Sequence, residues 1–153
     1  MHTQRNVGRR HHKRLLNLLI SKSERAILCS GWINHAGLAH LLPAIDAALG
    51  RGADILVYSN GRHTDAESLK ALASRPGLKH VVADAGVKYL HTKLYYFERG
   101  DGYTAVLGSA NLTEGGLIRN EELSIVLTGT KGDAGFQELA HYLSALPSAL
   151  GLA

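Results

Sequence analysis

Two spacings of hydrophobic residues recur along the chain, and each predicts a different kind of element. Apolar residues three or four positions apart predict helices, whereas short runs of apolar or alternating residues predict strands. The predicted helices span residues 14 to 22, 36 to 49, 65 to 74 and 133 to 146, and the predicted strands span residues 26 to 33, 54 to 58, 79 to 83, 89 to 97, 103 to 107 and 123 to 127. This order predicts an α/β fold with a mixed, largely parallel central sheet and helices on both faces.

Turn and cap residues separate these elements. Gly50 is expected to end the second helix, and Thr64 can cap the third. The run Arg99-Gly100-Asp101-Gly102 predicts a hairpin between the fourth and fifth strands. No internal repeat, low-complexity tract or linker interrupts the pattern, so residues 1 to 153 are expected to form a single domain.

The charge balance is basic, with 17 Lys and Arg against 13 Asp and Glu. Such a balance favours an anionic partner such as nucleic acid, although a net charge of +4 can also serve solubility alone. Residues 5 to 14 carry part of the excess and could follow a phosphate backbone. Because a charged terminus is more often solvated, residues 1 to 13 are interpreted as a flexible basic N-terminus.

The cysteine content and the length of the apolar runs bear on location. Cys29 is the only cysteine, so no internal disulfide can form, and a reducing compartment, the cytoplasm, is expected. Residues 15 to 20 follow a basic segment, as in a signal peptide, but this apolar run is short and is interrupted by Asn17. No run approaches the roughly 20 apolar residues of a membrane span, so no membrane insertion is expected.

The C-terminal half contains three polar motifs, which are His91-Thr92-Lys93, Gly108-Ser109-Ala110-Asn111 and Asn120-Glu121-Glu122. Each motif alone is a weak signal, and the chain holds another His-x-Lys, His11-His12-Lys13. A Gly-Ser-x-Asn within about twenty residues of a His-x-Lys is nevertheless poorly explained by chance. The combination indicates a functional site in this half of the chain.

The predicted strands bring the first two motifs together. His91 and Lys93 occupy alternate positions of the strand at 89 to 97, so they are expected to share one face. Ser109 and Asn111 follow the strand at 103 to 107, its hairpin partner, and would lie beside them. An ammonium, an amide and a hydroxyl then converge, and these donors suit the non-bridging oxygens of a phosphate.

These motifs resemble those of the phospholipase D superfamily, whose signature is His-x-Lys, an acidic residue five positions after the Lys, and then Gly-Ser-x-Asn. The resemblance covers residues 88 to 128. It implies that His91 is a nucleophile that attacks phosphorus and forms a covalent phosphohistidine, which water hydrolyses. It further implies that Lys93 and Asn111 bind the phosphoryl oxygens with help from Ser109.

Two acidic residues receive catalytic roles through the same resemblance. Glu122, at the position of the family's downstream glutamate, would accept a hydrogen bond from the second ring nitrogen of His91 and fix its tautomer. The alternative is that Glu121 and Glu122 only solvate the start of a strand. Glu98 stands where the family usually has Asp, which keeps the charge on a longer side chain, and a supporting role is expected of it.

One copy of the motif is present, whereas catalysis in the family uses two histidines on opposite sides of the phosphorus. The resemblance therefore implies a symmetric homodimer in which two copies of His91 share one cleft. It implies no metal and no other cofactor, because Lys93 and its counterpart would supply the positive charge. The histidines also lack the spacing of common zinc motifs.

The function expected from these residues is metal-independent cleavage of nucleic acid, with DNA favoured over RNA as the partner. Two alternatives stay open, a non-catalytic nucleic-acid-binding module that keeps the phosphate pocket and a phosphodiesterase that processes phospholipid. Binding without cleavage would indicate the first alternative, and turnover on micelles but not on oligonucleotides would indicate the second.

Further polar and aromatic residues follow the ends of the first two predicted strands, the edge at which open α/β sheets bind ligands. They are Trp32, Ser59, Arg62 and His63. Trp32 is nevertheless more often a core residue, and Ser59-Asn60-Gly61 is more often a turn. Both interpretations of this group remain open from the sequence.

Overall fold

The computed structural model describes residues 1–152, whose strands form one seven-stranded sheet. The strands are β1 (His2–Arg5), β2 (Arg25–Ser30), β3 (Asp54–Asn60), β4 (Leu78–Ala83), β5 (Lys93–Arg99), β6 (Gly102–Gly108) and β7 (Leu123–Thr130). Their order across the sheet is β1-β7-β6-β5-β2-β3-β4. Strands β2, β3 and β4 pair in parallel and the other neighbours pair antiparallel, so β5 and β7 run against the remaining five. The predicted mixed α/β sheet is confirmed.

Helices cover both faces of this sheet, as predicted. They are α1 (His12–Lys22), α2 (His35–Leu38), α3 (Leu42–Gly50), α4 (Ala66–Ala73) and α5 (Ala134–Ala149), with a five-residue π-helix at Gly115–Arg119. One core lies between the sheet and the four helices α1, α2, α3 and α4, and it includes Leu16 and Tyr95. The other core lies under α5 and includes Tyr96 and Leu139. Tyr95 and Tyr96 belong to different cores because neighbouring strand residues point to opposite faces.

The helix predicted at 36 to 49 is two helices in the structure. Helix α2 ends at Leu38, and α3 begins at Leu42 with Pro43 in its first turn. Proline has no N–H group to donate to the carbonyl four residues earlier, so a continuous helix would lose a hydrogen bond here. The apolar spacing identified the buried face of both helices and missed the break between them.

The cap of α4 is Asp65, which corrects the prediction for Thr64. The Asp65 carboxylate accepts a hydrogen bond from the backbone N–H of Ser68 at 2.8 Å. The Thr64 hydroxyl instead donates to the carbonyl oxygen of Asn60 at 2.7 Å. Thr64 therefore closes the turn after β3, and the next residue starts the helix.

Strand β5 begins at Lys93 rather than at residue 89. Its neighbour β2 ends at Ser30, and Ser30 pairs with Lys93. Residues 89 to 92 therefore extend past the end of β2 and have no partner in that strand. As a result His91 lies just outside the sheet, while Lys93 is the first residue of β5.

The N-terminal segment forms a strand that its polar sequence does not predict. Residues 2 to 5 pair antiparallel with β7 at the edge of the sheet. Beyond this strand, Asn6 donates through Nδ2 to the carbonyl oxygens of Gly116 at 2.8 Å and Asn120 at 3.1 Å. Backbone pairing needs no apolar side chains, so a basic segment can be held on the sheet in this way.

Within residues 1–152, no helix combines the length and the apolar composition that crossing a bilayer requires.

His12 is a fully buried polar residue at the start of α1. Its Nδ1 lies 2.8 Å from Asn6 Oδ1, and its Nε2 lies 2.8 Å from Ser124 Oγ. Because an amide oxygen only accepts, the ring donates from Nδ1 to Asn6 and accepts from the Ser124 hydroxyl at Nε2. Burial lowers the pKa of His12, and the negative charge of Glu122 opposes this shift in part. His12 is therefore a neutral structural residue.

We expect the stability of the protein to fall as the pH falls from about 7 to about 5. Burial lowers the pKa of both His12 and His80 in the folded state. Below the unfolded value of about 6.5 the unfolded chain binds these protons first, so each histidine can contribute a slope of up to about 1.4 kcal/mol per pH unit.

Urea unfolding of His12→Asn and His80→Asn at several pH values checks this expectation. Each variant should show a shallower fall in the free energy of unfolding between pH 7 and pH 5 than the wild type. His141→Asn, at an exposed position of α5, is the control and should keep the wild-type slope. Parallel slopes for all four proteins would contradict the assignment of His12 and His80.

Candidate active site

His91 and Lys93 are in contact at the start of β5. The Lys93 Nζ atom lies 3.1 Å from each ring nitrogen of His91 and donates to the His91 carbonyl oxygen at 2.9 Å. The His91 side chain is exposed to solvent, and Lys93 is half-buried. An imidazole and an ammonium group therefore share one accessible position at the end of a central strand.

The sheet register places the Gly-Ser-x-Asn motif beside this pair. Strands β5 and β6 pair through Leu94 and Leu107, so Gly108 is the next residue along, level with Lys93. The hairpin that joins these strands is the one predicted at residues 99 to 102. Gly108 in turn pairs with Ser124 of β7. The segments that carry the three motifs therefore meet at the same end of strands β5, β6 and β7.

The orientation of the Asn111 amide is determined by its neighbours on the segment after β2. Asn111 Oδ1 accepts a hydrogen bond from the backbone N–H of Trp32 at 3.1 Å and lies 3.5 Å from Ser30 Oγ. Since the backbone N–H can only donate, the amide oxygen must face it. The Asn111 Nδ2 group has no hydrogen-bond partner within residues 1–152, so it remains available as a donor to a ligand.

Ser109 and Glu122 form the acidic side of the cluster. The Ser109 hydroxyl donates to Glu122 Oε2 and accepts from the backbone N–H of Leu123 at 3.1 Å. Glu121 points elsewhere and forms an exposed ion pair with Arg5 at 2.8 Å. The hydrogen bond from His91 to Glu122 that the resemblance implies is not formed within the described residues, where both His91 ring nitrogens lie 3.1 Å from Lys93 Nζ.

The charge of Lys93 is influenced by two opposing effects. Burial lowers the pKa of Lys93, and the Glu122 carboxylate opposes this shift. The ammonium group is thus partly removed from water but remains close to a compensating negative charge. A partly desolvated cation interacts more strongly with a phosphate oxygen than one fully surrounded by water.

Glu98 lies at the other end of β5, and the structure does not bring it to His91. It accepts a hydrogen bond from the Tyr96 hydroxyl at 3.0 Å and forms ion pairs with Lys131 at 2.9 Å and Arg25 at 3.7 Å. Five residues along a strand span roughly 16 Å, which separates Glu98 from Lys93. These contacts connect β5 to β2 and to the turn after β7, so the visible role of Glu98 is structural.

Three buried polar side chains that the sequence did not identify hold the segments of the site. Asn60 donates through Nδ2 to the carbonyl oxygen of Leu90 at 2.9 Å, next to His91. The Tyr95 hydroxyl donates to the carbonyl oxygen of Ala110 at 2.6 Å, next to Asn111. The third residue is Ser30, whose hydroxyl oxygen accepts from the backbone N–H of residue 112 at 2.9 Å. The feature of the sequence that could have identified them is a side chain with a polar group at the end of an apolar strand, as for Ser30 and Asn60, or within one, as for Tyr95.

A comparison with known families agrees with this arrangement. The family model described as "Cardiolipin synthase, PLD-like domain" matches residues 15–146, which is most of the chain. The chain belongs to the phospholipase D superfamily. The resemblance that the motifs of residues 88 to 128 indicated is therefore confirmed for nearly the whole chain.

Solved structures of phospholipase D type share this fold. Nuc from Salmonella typhimurium is 16% identical with a TM-score of 0.73, and the match covers 99% of this chain and 93% of that chain. NucT from Helicobacter pylori is 18% identical with a TM-score of 0.67, covering 89% and 87%. Yeast tyrosyl-DNA phosphodiesterase is 15% identical with a TM-score of 0.57, covering 94% and 37%. No significant match is found among curated proteins.

Within residues 1–152, no group of three or more His, Cys, Asp or Glu side chains is arranged to hold a metal ion. The phospholipase D motifs instead bring together two groups that can donate to an anion, the Lys93 ammonium and the free amide nitrogen of Asn111.

We expect the site to tolerate no side chain at Gly108. A Cβ atom there would overlap the carbonyl oxygen of Leu123 and lie 2.5 Å from Ser124 Cα. Gly108→Ala must therefore push β6 away from β7, and it should lower the free energy of unfolding by about 1–3 kcal/mol. Urea unfolding measures this effect.

Gly50→Ala is the matched control for this substitution. A Cβ atom at Gly50, the last residue of α3, meets nothing within 4 Å, and its φ is not positive. The control should be as stable as the wild type or up to about 1 kcal/mol more stable, since alanine is the better helix former. Equal unfolding midpoints for the two variants would show that Gly108 does not limit the approach of β6 to β7.

Proposed function

We propose that this chain is a metal-independent phosphodiesterase that cleaves nucleic acid, with DNA as the preferred substrate. The observation that carries the proposal is the contact of Lys93 with His91, next to the segment that presents the free amide nitrogen of Asn111. The basic balance of 17 Lys and Arg against 13 Asp and Glu supports a polyanionic substrate. The structural likeness to the nucleases Nuc and NucT and to tyrosyl-DNA phosphodiesterase supports the same substrate class.

In the proposed reaction a neutral ring nitrogen of His91 attacks phosphorus. An N–P bond forms, the ester P–O bond breaks, and a histidine on the opposite side protonates the leaving oxygen. Water then attacks phosphorus and gives a proton to the opposite histidine, and the N–P bond breaks to regenerate His91. Lys93 and Asn111 would donate to the non-bridging oxygens, where negative charge accumulates in the transition state.

Ser109 and Glu122 complete the proposed site. In the free protein the Ser109 hydroxyl is engaged by Glu122, which keeps this carboxylate beside the cluster. Glu122 would accept a hydrogen bond from His91 once a phosphate oxygen draws the Lys93 ammonium away from the ring. Its carboxylate would then hold the tautomer that exposes the attacking nitrogen.

The second histidine would come from a second copy of the chain. A single imidazole cannot stand on both sides of an in-line displacement, and the Gly-Ser-x-Asn motif accompanies only His91. In a two-fold dimer the same surface of each copy would meet, which places two His91 rings and two Lys93 ammonium groups around one phosphate. The phosphate would neutralise the repulsion between those cations.

Cleavage assays in excess EDTA test the reaction. Labelled single- and double-stranded DNA and RNA should be cut by the wild type in EDTA, and DNA should be cut faster than RNA. His91→Ala should lower the rate by about 10³-fold or more, because it removes the nucleophile. His141→Ala, on the exposed face of α5, is the control and should keep the wild-type rate. Cleavage that requires a metal ion, or that survives in His91→Ala, would refute the proposed mechanism.

Subunit mixing tests the shared site. When equal amounts of wild type and His91→Ala exchange subunits, about one quarter of the dimers carry two intact copies of His91. Activity per total protein should therefore fall to about one quarter of that of pure wild type. Two independent sites would leave about one half. A protein that is monomeric by light scattering at the assay concentration and is still active would exclude the shared site.

Phospholipid is the second candidate substrate, because the matched family model is described as a cardiolipin synthase domain. Turnover of phosphatidylglycerol in micelles, with no cleavage of any oligonucleotide, would favour it. A non-catalytic binding module would bind oligonucleotides and cleave neither substrate. Glu98, which stands where the family usually has Asp, lies far from His91 and contacts Tyr96 and Lys131 instead. Its identity therefore gives no reason to expect a loss of catalysis.

A further inference from the structure

Three aromatic side chains form a continuous path on the surface that ends at His91. Trp32 follows β2, His63 follows β3 and Tyr89 precedes β5, and we call these three residues the aromatic stripe. The ring centroids are 5.2 Å apart for Trp32 and His63, 5.7 Å for His63 and Tyr89, and 6.2 Å for Tyr89 and His91. The stripe therefore runs directly into the proposed phosphate site.

The stripe is exposed, which decides against the core position that was one of the two interpretations of Trp32. Trp32 is 51% exposed and Tyr89 is 44% exposed. Large aromatic rings are usually placed in the core or at a binding surface, because exposing them to water is unfavourable. His63 packs against part of the Trp32 ring, and the exposed remainder is available to another planar group.

The stripe is also held in a fixed arrangement. The backbone of Trp32 donates from its N–H to Asn111 Oδ1 at 3.1 Å and accepts from the Ser30 hydroxyl at 2.7 Å. The ring of His63 is hydrogen-bonded through Nε2 to the Tyr89 hydroxyl. Rigid aromatic side chains bind a ligand with little loss of conformational entropy. The contact between Trp32 and Asn111 also links the stripe to the phosphate-binding amide.

The charges around the stripe favour an anion. Arg62 and Lys88 are adjacent in sequence to His63 and Tyr89, are exposed, and form no ion pair within residues 1–152. The carboxylates of Asp65 and Asp84 keep their charge, but each accepts from backbone N–H groups and neither is paired with these cations, since Asp65 caps α4 and Asp84 accepts from the backbone N–H of residue 86 at 2.8 Å. If the stripe contacted its own copy, these cations would face each other, whereas a nucleotide would bring phosphate to them.

We propose that Trp32, His63 and Tyr89 form a base-stacking subsite, which binds an unpaired nucleobase of the nucleotide next to the phosphate at His91. The inference rests on the proposed function and adds to it a preference for single-stranded nucleic acid. In a duplex both faces of each base are covered by its neighbours, so only an unpaired base can stack on the stripe. Stacking accepts any base, so the subsite gives strand selectivity without sequence specificity.

Trp32 is the only tryptophan of the chain, so its fluorescence reports directly on the subsite. The titration uses full-length His91→Ala, which cannot cut the ligand, and three ligands with the same number of phosphates. These are a single-stranded oligothymidylate, the same oligomer without bases, and a duplex. Anisotropy of a label on each ligand measures binding independently of the tryptophan signal.

The expected result is saturable quenching of Trp32 by the single strand and little quenching by the abasic oligomer or the duplex. Trp32→Ala should weaken binding of the single strand by about 5- to 100-fold and leave binding of the abasic oligomer unchanged. Trp32→Phe should retain most of the affinity because it keeps a planar ring. Leu18→Ala, an exposed apolar position on α1, is the control for loss of surface area.

Four results would overturn the subsite. One is binding of the single strand, seen by anisotropy, without a change in Trp32 fluorescence. Another is equal affinity for the base-containing and abasic oligomers. The third is conversion of a dimer into a monomer by Trp32→Ala, which would identify the stripe as a contact between copies of the chain. Failure to bind any oligonucleotide would also overturn it, whereas hydrolysis of bis(4-nitrophenyl) phosphate in EDTA would still support the phosphodiesterase.

Discussion

The position of Lys93 at the start of β5 is the constraint on which the candidate site depends. Ser30 of β2 pairs with Lys93 on one side, and the ladder with β6 places Gly108 on the other. A slip of one residue in either ladder would turn Lys93 to the opposite face of the sheet and move Tyr95 and Tyr96 into the opposite cores. The burial of Tyr95 and Tyr96 in separate cores therefore also fixes where the ammonium group points.

The segments that carry His91 and Asn111 lie outside the ladders and need a different kind of support. Buried hydrogen bonds from Asn60 and Tyr95 supply it, because each joins a side chain anchored in a strand to a carbonyl oxygen beside a site residue. An unpaired buried donor would cost free energy, so these side chains favour one position of each segment over its alternatives. Gly31 contributes by having no side chain, since a Cβ atom there would lie 3.0 Å from His91 Cα.

Residues that pack against the core could be predicted from the sequence, because burial leaves a regular spacing of apolar residues. Strand β1 and the supporting residue Asn60 could not, since both depend on contacts with distant parts of the chain that leave no local pattern. For the same reason the sequence could not predict that Trp32 is exposed. The remoteness of Glu98 is different, because the length of the predicted strand already implied it.

The two His-x-Lys sequences show why spacing acquires meaning only from the backbone that carries it. His11 is the cap of α1 and Lys13 lies within that helix, where residues two positions apart point in nearly opposite directions. The same spacing at residues 91 to 93, where β5 begins, puts the Lys93 ammonium 3.1 Å from the ring nitrogens of His91. The backbone at the start of β5 thus brings the two side chains together as a pair that can act on one phosphate, while helix geometry separates His11 from Lys13.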